Sequence, residues 1–384
     1  MAVLMVLALL AAAPEAAPRA RDLGIPFDFG RPGPSNAITD VRGVQVGHVT
    51  LIEGDAVRTG VTAILPRGRG DEGTRPCFAG VFSLNGNGEM TGTAWIEESG
   101  LLEGPVLITN TSSVGVVRDA VIAYAARRWP KLGEPWSLPV VAETWDGRLN
   151  DIAGMHVKPQ HAAAAIDAAA SGPVAEGNVG GGTGMVAFEF KGGIGTSSRV
   201  LSEADGGYTV GVLVQANFGL RHQLRVAGLP VGQELRDDLI YSKETGSIII
   251  VVATDAPLLP HQVKRLARRA ALGLARTGSV AGNGSGDLFI AFSTAPAGDA
   301  SAKGPVAVSM LPNEMAGPLF EATVGATEEA IVNALVAART MTGKDGKTVH
   351  AIPHERLREI LRRHRIELGG AASHPPDPPR LAPK

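Results

Sequence analysis

Ser285 lies in the run AGNGSGDLFIAFST, between Gly284 and Gly286, where a flexible stretch turns into a strand-like one. A glycine before a serine leaves the preceding carbonyl unshielded by a Cβ and tolerates strained backbone angles. The serine Oγ can then attack the Gly284 carbonyl. An N-to-O acyl shift would convert the peptide bond to an ester, and hydrolysis would leave Ser285 as a new chain terminus. Its freed α-amine, with an ordinary pKa of about 8, could then act as general base to its own hydroxyl without a histidine. Gly-Ser-Gly also makes ordinary turns, and these residues by themselves leave both readings open.

Other chemistries find less support. GNGSGD is not the G-x-S-x-G elbow of α/β-hydrolases, because Asn283 and Asp287 occupy the glycine positions. No lysine precedes the serine, so it is not a P-loop. GNVGGGTGM (177–185) has the look of a nucleotide loop, but strand-like VAFEF follows where a phosphate-binding helix should start, so a tight backbone turn is expected. The nine histidines show no metal-ligand spacing, and His156 and His161 read as surface residues. Neither a metal nor an organic cofactor is expected.

The elements that must position Ser285 are written in short apolar runs with glycine punctuation. Strands are expected at GVTAILP, FAGVFSLNG, PVLITNT, LPVVAETW, MVAFEFK, YTVGVLVQANFG, SIIIVVATD, DLFIAFST and VAVSML. Several lack polar alternation, as strands covered on both faces do. Helices are expected at SSVGVVRDAVIAYAARR, HVKPQHAAAAIDAAASG, a segment capped by Asp255 with Pro257 in its first turn, ATEEAIVNALVAARTMTG capped by Thr327, and HERLREILRRHRIEL. The pattern is one α/β domain with helices on the sheet faces.

Length and composition agree. The chain has 384 residues, 44% hydrophobic and 19% charged, which suits a globular protein with a sizeable core. A net charge of −2 gives no basic stripe for nucleic acid, and that class of partner is excluded. The single Cys77 cannot pair within the chain, so it does not identify the compartment. MAVLMVLALLAAAPEAAPRARD is shaped like a secretory leader without its basic start, and 1–23 is expected to be a signal peptide or a disordered leader. A removed leader implies a periplasmic or secreted protein; otherwise a cytoplasmic one is expected. No apolar run reaches the roughly 20 residues of a membrane span. The proline-rich end, 368–384, is expected to be disordered.

Across 24–367 the segments AITDVRGVQVGHVT, TGVTAILP, NGNGEMTG, ETWDGRLND, EGNVGGGTGM, FKGGIGTSSR, LVQANFG, ATDAPLLP, ARTGSVAGNGSGD and PLFEATVGATEEAIVNAL occur in order. In this the chain resembles the DmpA-type family of self-processing serine aminopeptidases, which includes the β-peptidyl aminopeptidases. The resemblance implies a four-layer α/β/β/α sandwich of the N-terminal-nucleophile type shared with ornithine acetyltransferases. It implies self-cleavage between Gly284 and Ser285, with Ser285 as nucleophile. It makes Asn217 the oxyanion donor, Glu143 the carboxylate that receives the substrate's free amine, and Thr327 with Glu329 a hydroxyl and carboxylate supporting the nucleophile. Trp145 stands at a substrate-binding position where the family often has tyrosine. Short peptides, amides and esters with L-, D- or β-amino termini are the implied substrates, and a tetramer of processed heterodimers the implied assembly. From the residues themselves, Glu143 could equally cap a turn, Asn217 could be a turn asparagine, and Asp287 reads as a structural carboxylate at a strand start. Gly86 and Gly88 read as backbone-geometry positions, with Asn85 as a weaker candidate for lining the site. An acyltransferase of the ornithine acetyltransferase type, which would use threonine, and a non-catalytic relative are the alternatives.

Overall fold

A computed structural model describes residues 17–368 except 71–74, 129–137, 244–245, 299–301 and 367. The chain runs through β1 (Gln45–Glu53), β2 (Val57–Leu65), β3 (Cys77–Gly86), the short helix α1 (Thr93–Ser99), β4 (Leu101–Leu102) and β5 (Val106–Asn110). Helix α2 (Val114–Arg128), β6 (Val140–Thr144) and α3 (Pro159–Asp167) follow, then β7 (Val186–Ala187), β8 (Phe190–Lys191), β9 (Gly193–Val200), β10 (Thr209–Asn217) and β11 (Ser247–Thr254). Helix α4 (Pro260–Arg276) leads to β12 (Gly286–Ser293), α5 (Gly317–Val336), the small hairpin β13 (Met341–Thr342) and β14 (Thr348–Val349), and α6 (His354–Arg363).

Two sheets carry the fold, a six-stranded one in the order β4-β3-β12-β11-β10-β9 and a four-stranded one in the order β1-β2-β5-β6. Alternate residues of β11 and β12 face opposite ways. Ile249, Val251, Ile290 and Phe292 meet Ile64, Ile108 and Ala142 of the other sheet, while Ile248, Ile250, Phe289 and Ala291 pack under Val263 and Leu266 of α4 and Ile331 and Leu335 of α5. The far side of the four-stranded sheet is covered by Val117 and Val121 of α2 and Ala162 and Ile166 of α3. Each fully buried aliphatic side chain stabilises by about 1.5–3 kcal/mol, so three such interfaces favour the expected α/β/β/α layering. Close approach of α5 to β9 depends on Gly195, where a Cβ would sit 1.9 Å from the Ala330 carbonyl oxygen.

The structure corrects several expectations. The helix expected to start at Thr327 begins ten residues earlier, with Pro318 in its first turn. Gly325 inside it is not a break: Asp28 and Phe29 pass so close that a Cβ there would lie 2.8 Å from the Asp28 carbonyl oxygen. Asp255 does not cap α4, which starts at Pro260; its carboxylate accepts from Thr209 N at 2.8 Å and ties β11 to β10. VAVSML forms no strand, and only Leu311 of it is buried. MVAFEFK is a tight hairpin, with Phe188 and Glu189 at φ +50° and +63°. The body also starts before Gly24. Ala20–Leu23 form a 3₁₀ turn with Ala20 fully buried. Residues 1–16 and 369–384, on which the rest of the leader and tail readings fall, lie outside the described residues.

Candidate active site

Ser285 is fully buried immediately before β12. Strand register places Asn217 opposite Ser247, Ile248 opposite Asp287, and Asp287 opposite Asn85. One end of four adjacent strands, β10, β11, β12 and β3, therefore gathers Asn217, Ser247, Ser285 and Asn85. The Ser285 Oγ donates to Asp287 Oδ1 at 2.6 Å, and Gly286 N donates to Ser247 Oγ at 3.0 Å. Asp287 thus contacts the hydroxyl directly rather than merely beginning a strand.

The turn before Ser285 is pinned from β3. Asn85 Nδ2 donates to the Gly282 carbonyl at 2.6 Å and Asn87 Nδ2 to the Gly284 carbonyl at 2.8 Å, while Ser285 N donates to Gly282 O at 2.8 Å. Ala281 is held at φ +49°, a strained setting for a residue with a side chain. Gly286 is obligatory here: a Cβ would come 2.4 Å from the Asn87 carbonyl oxygen.

Glu143 projects from the end of β6 across the gap between sheets. One carboxylate oxygen accepts from Glu89 N at 3.0 Å and the other from Thr111 Oγ1. A Cβ on Gly88 would be 3.2 Å from Glu143 Oε1 and 3.2 Å from Gly286 Cα, which brings the carboxylate beside the Ser285–Gly286 backbone. Burial pushes the Glu143 carboxyl above its usual range, against the downward pull of Thr111 and Glu89. Asn217 is oriented at both ends, its Oδ1 accepting from Val186 N at 2.8 Å and its Nδ2 donating to the Trp145 carbonyl at 2.9 Å. Its second N–H remains as a donor.

Beside Asn217 opens a cleft of about 230 Å³ lined by Trp145, Val186, Asn217, Phe218, Gly219, Tyr241 and Gly246. Trp145 is 40% exposed and forms one wall. A larger cavity of about 500 Å³ includes Cys77. It lies at the opposite end of the six-stranded sheet, where the neighbouring Phe78 pairs with Ser293, and takes no part in this arrangement. Burial pushes the Cys77 thiol up to about 11, which leaves it a poor nucleophile.

Thr327 and Glu329 are not brought to Ser285. Thr327 Oγ1 donates to the Thr323 carbonyl of its own helix at 2.7 Å. Glu329 is fully buried and paired with Arg21 at 2.7 Å and Arg199 at 2.9 Å, and it accepts from Asn36 at 2.6 Å. Burial raises its carboxyl, but Arg199, Arg21 and Asn36 together outweigh that and hold it below the usual range. Through Val210 and Thr254, Arg199 shares a strand row with Ser293, at the far end of β12 from Ser285. The helix that carries this pair points Glu329 into an ion cluster and Thr327 onto its own backbone.

The Gly177–Met185 run is a buried turn between the sheets, as expected. Gly181 N donates to Thr62 Oγ1 at 3.1 Å, and Lys191 Nζ donates to the Gly182 and Met185 carbonyls at 3.3 and 2.7 Å. His156 pairs with Asp151 and His161 accepts from Lys158 N, both outside the site. Sequence reasoning passed over Asn87, Thr111, Ser247 and Tyr241. Only Asn87 carried a signal, as the second asparagine of NGNGE beside Gly86 and Gly88.

The model of "Peptidase family S58" matches residues 36–349. β-Peptidyl aminopeptidase BapA of Sphingosinicella microcystinivorans is 56% identical, over 93% of this chain and 95% of its own. The structure of a Burkholderia sp. β-aminopeptidase superposes with a TM-score of 0.84 at 51% identity, covering 93% of this chain and 100% of that one. L-aminopeptidase D-Ala-esterase/amidase of Ochrobactrum anthropi, described as a prototype of the serine aminopeptidases and a variant of the Ntn hydrolase fold, superposes with a TM-score of 0.86 at 49% identity, covering 92% and 100%. The chain belongs to peptidase family S58, with the Ntn-type fold of that prototype, and is a serine aminopeptidase hydrolase acting on peptide or amide substrates.

Proposed function

We propose that the chain matures by cleaving its own Gly284–Ser285 bond and then uses Ser285, with its new α-amine as base, to release N-terminal residues from short peptides, amides and esters. β-Amino acids are included among those residues, because two of the relatives above carry that specificity in their names. Glu143 receives the substrate ammonium, Asn217 donates its second N–H to the oxyanion, and Trp145 walls the cleft that takes the side chain or leaving group. The tight Gly282–Ser285 turn, with the hydroxyl buried beside Asp287 and the Glu143 carboxylate alongside Gly286, is the observation that carries the reading. Water attacks the acyl-Ser285 ester to complete the turnover. The working form is an oligomer of processed heterodimers, exported if the leader is removed.

Intact mass of freshly purified protein tests this. Two fragments are expected, the smaller beginning Ser-Gly-Asp, along with release of p-nitroaniline from L-Ala, D-Ala or β-Ala anilides. Ser285→Ala should remain one chain and release none. Turnover by that variant, or an active wild-type enzyme with no new terminus at Ser285, would overturn the proposal.

A further inference from the structure

The mature enzyme's base is an amine that does not exist until the chain has been cut, so the first cut needs a different proton acceptor. It also needs an oxyanion donor aimed at the Gly284 carbonyl, and the side chain that donates to that oxygen is Asn87, whereas Asn217 accepts from Val186 N and donates to the Trp145 carbonyl. Resting on the maturation reading above, we infer that Asp287 and Asn87 are the catalytic residues of self-cleavage, separate from the pair Glu143 and Asn217 that serves substrate.

Three observations converge on this assignment. Asp287 Oδ1 is 2.6 Å from the Ser285 Oγ and accepts its proton. Asn87 Nδ2 donates to the oxygen of the scissile carbonyl at 2.8 Å, the atom on which negative charge develops. Gly286 has no Cβ, and only glycine there lets the Asn87–Gly88 backbone close on the cleavage site. Asn85 adds rigidity by holding the Gly282 and Ala281 carbonyls at 2.6 and 3.2 Å, which fixes the turn before it is cut.

The step balances within these groups. The Oγ–H proton passes to Asp287 as Oγ bonds to the Gly284 carbonyl carbon, and the resulting oxyanion is held by Asn87. The carbon–nitrogen bond then breaks as the proton moves from Asp287 to the Ser285 nitrogen, leaving a Gly284–Oγ ester and a free amine. Water hydrolyses that ester, giving a Gly284 carboxylate and restoring the Ser285 hydroxyl. Asp287 ends as it began, a carboxylate beside the new α-amine.

Conversion of the full chain to two fragments, followed by intact mass after a pulse of cell-free synthesis, tests the inference. Asn87→Ala should slow scission by about 10²–10³-fold, the usual loss on removing one oxyanion donor. Asn87→Asp, which points a carboxylate at the developing charge, should slow it at least as much, whereas Asn87→Gln, which keeps a donor, should recover part of the rate. Asn87 is exposed, so these variants fold. Asp287→Asn should slow scission by at least about 100-fold, in the range of lost general-base catalysis, and its rate should climb tenfold per pH unit as hydroxide replaces the missing acceptor. Should Asp287→Asn fail to accumulate, the Asn87 series decides alone. Asn87→Ala and Asn87→Asp both splitting within threefold of the wild-type rate would overturn the inference while leaving Ser285 as nucleophile. A wild-type chain that never splits would overturn the maturation reading itself.

Discussion

Glu143→Gln separates charge from shape. In the wild-type chain one carboxylate oxygen accepts from Glu89 N and the other from Thr111 Oγ1. A glutamine oxygen can keep the first contact, and its amide can donate to the threonine hydroxyl, so the buried site stays packed. Only the charge offered to a substrate ammonium is lost. A hydrogen bond to a charged partner contributes about 1.5–3 kcal/mol, which at 1.36 kcal/mol per tenfold predicts a fall in kcat/KM of about 10- to 150-fold. Burial raises the Glu143 carboxyl above its ordinary 4.5. Protonation of Glu143 should therefore add a step to the acid side of the kcat/KM profile above that value in the wild type, and the variant should lose that step while keeping the limb set by the Ser285 α-amine. Stability moves the other way. A carboxyl whose folded pKa is raised binds more protons folded than unfolded, so it costs stability as pH rises through that window; the variant should be at least as stable as wild type at pH 7. Initial rates on an alanine anilide and its N-acetylated form, with thermal unfolding alongside, measure all of this. An equal loss on both substrates would refute the ammonium-binding role, as would a variant that still prefers the free amine.

Asn217→Ala should lower kcat on matured enzyme by about 10²–10³-fold and lower the melting temperature, because Val186 N and the Trp145 carbonyl both lose their partner; a kcat within threefold of wild type in a folded variant would remove Asn217 from the oxyanion site. Glu329→Gln leaves the fully buried Arg199 and the partly exposed Arg21 facing an uncharged group. It should cost about 3–5 kcal/mol in denaturant unfolding while the folded fraction still splits at Ser285. Loss of scission with unchanged stability would restore the supporting role that the resemblance implied for Glu329.

Much of the site could be read before any coordinates, because its residues sit at element ends that the sequence punctuates. DLFIAFST is apolar on both faces and follows a glycine-rich turn, so Ser285 had to stand at a strand start. VQANFG ends its strand at Asn217, and ETWDG ends another just past Glu143. Strands β1 and β9 carry no such apolar run: β1 is broken up by glycine, histidine and threonine, and β9 is built mostly of small and hydroxyl residues. In β9 the hydroxyls are buried all the same, Ser197 donating to the Ala326 carbonyl at 2.9 Å and Thr196 to the Val212 carbonyl at 2.6 Å. A pattern of apolar runs cannot register a strand whose burial is achieved through hydrogen bonds to distant backbone. The same blindness hid Arg19 and Arg21, which look like the end of a leader and are in fact paired with Glu176 and Glu329.

Those distant contacts also explain how the fold would survive the proposed scission. The Gly284–Ser285 bond precedes the ladder of β12, which pairs with β11 from Asp287 to Ser293 and with β3 from Gly286 to Ser293. Breaking the bond removes no ladder hydrogen bond, and β12 stays clamped between neighbours that belong to the other fragment. Helix α5, carried by the smaller fragment, is bound to the larger one through Arg199 and Arg21 at Glu329 and through Asn333, which accepts from Ala20 N at 2.9 Å and donates to the Thr196 carbonyl at 2.9 Å. The ion pairs of Glu329 thus fit the proposed maturation: they would fasten together two chains that had been one, while the turn before Ser285 is the segment whose tether would be released.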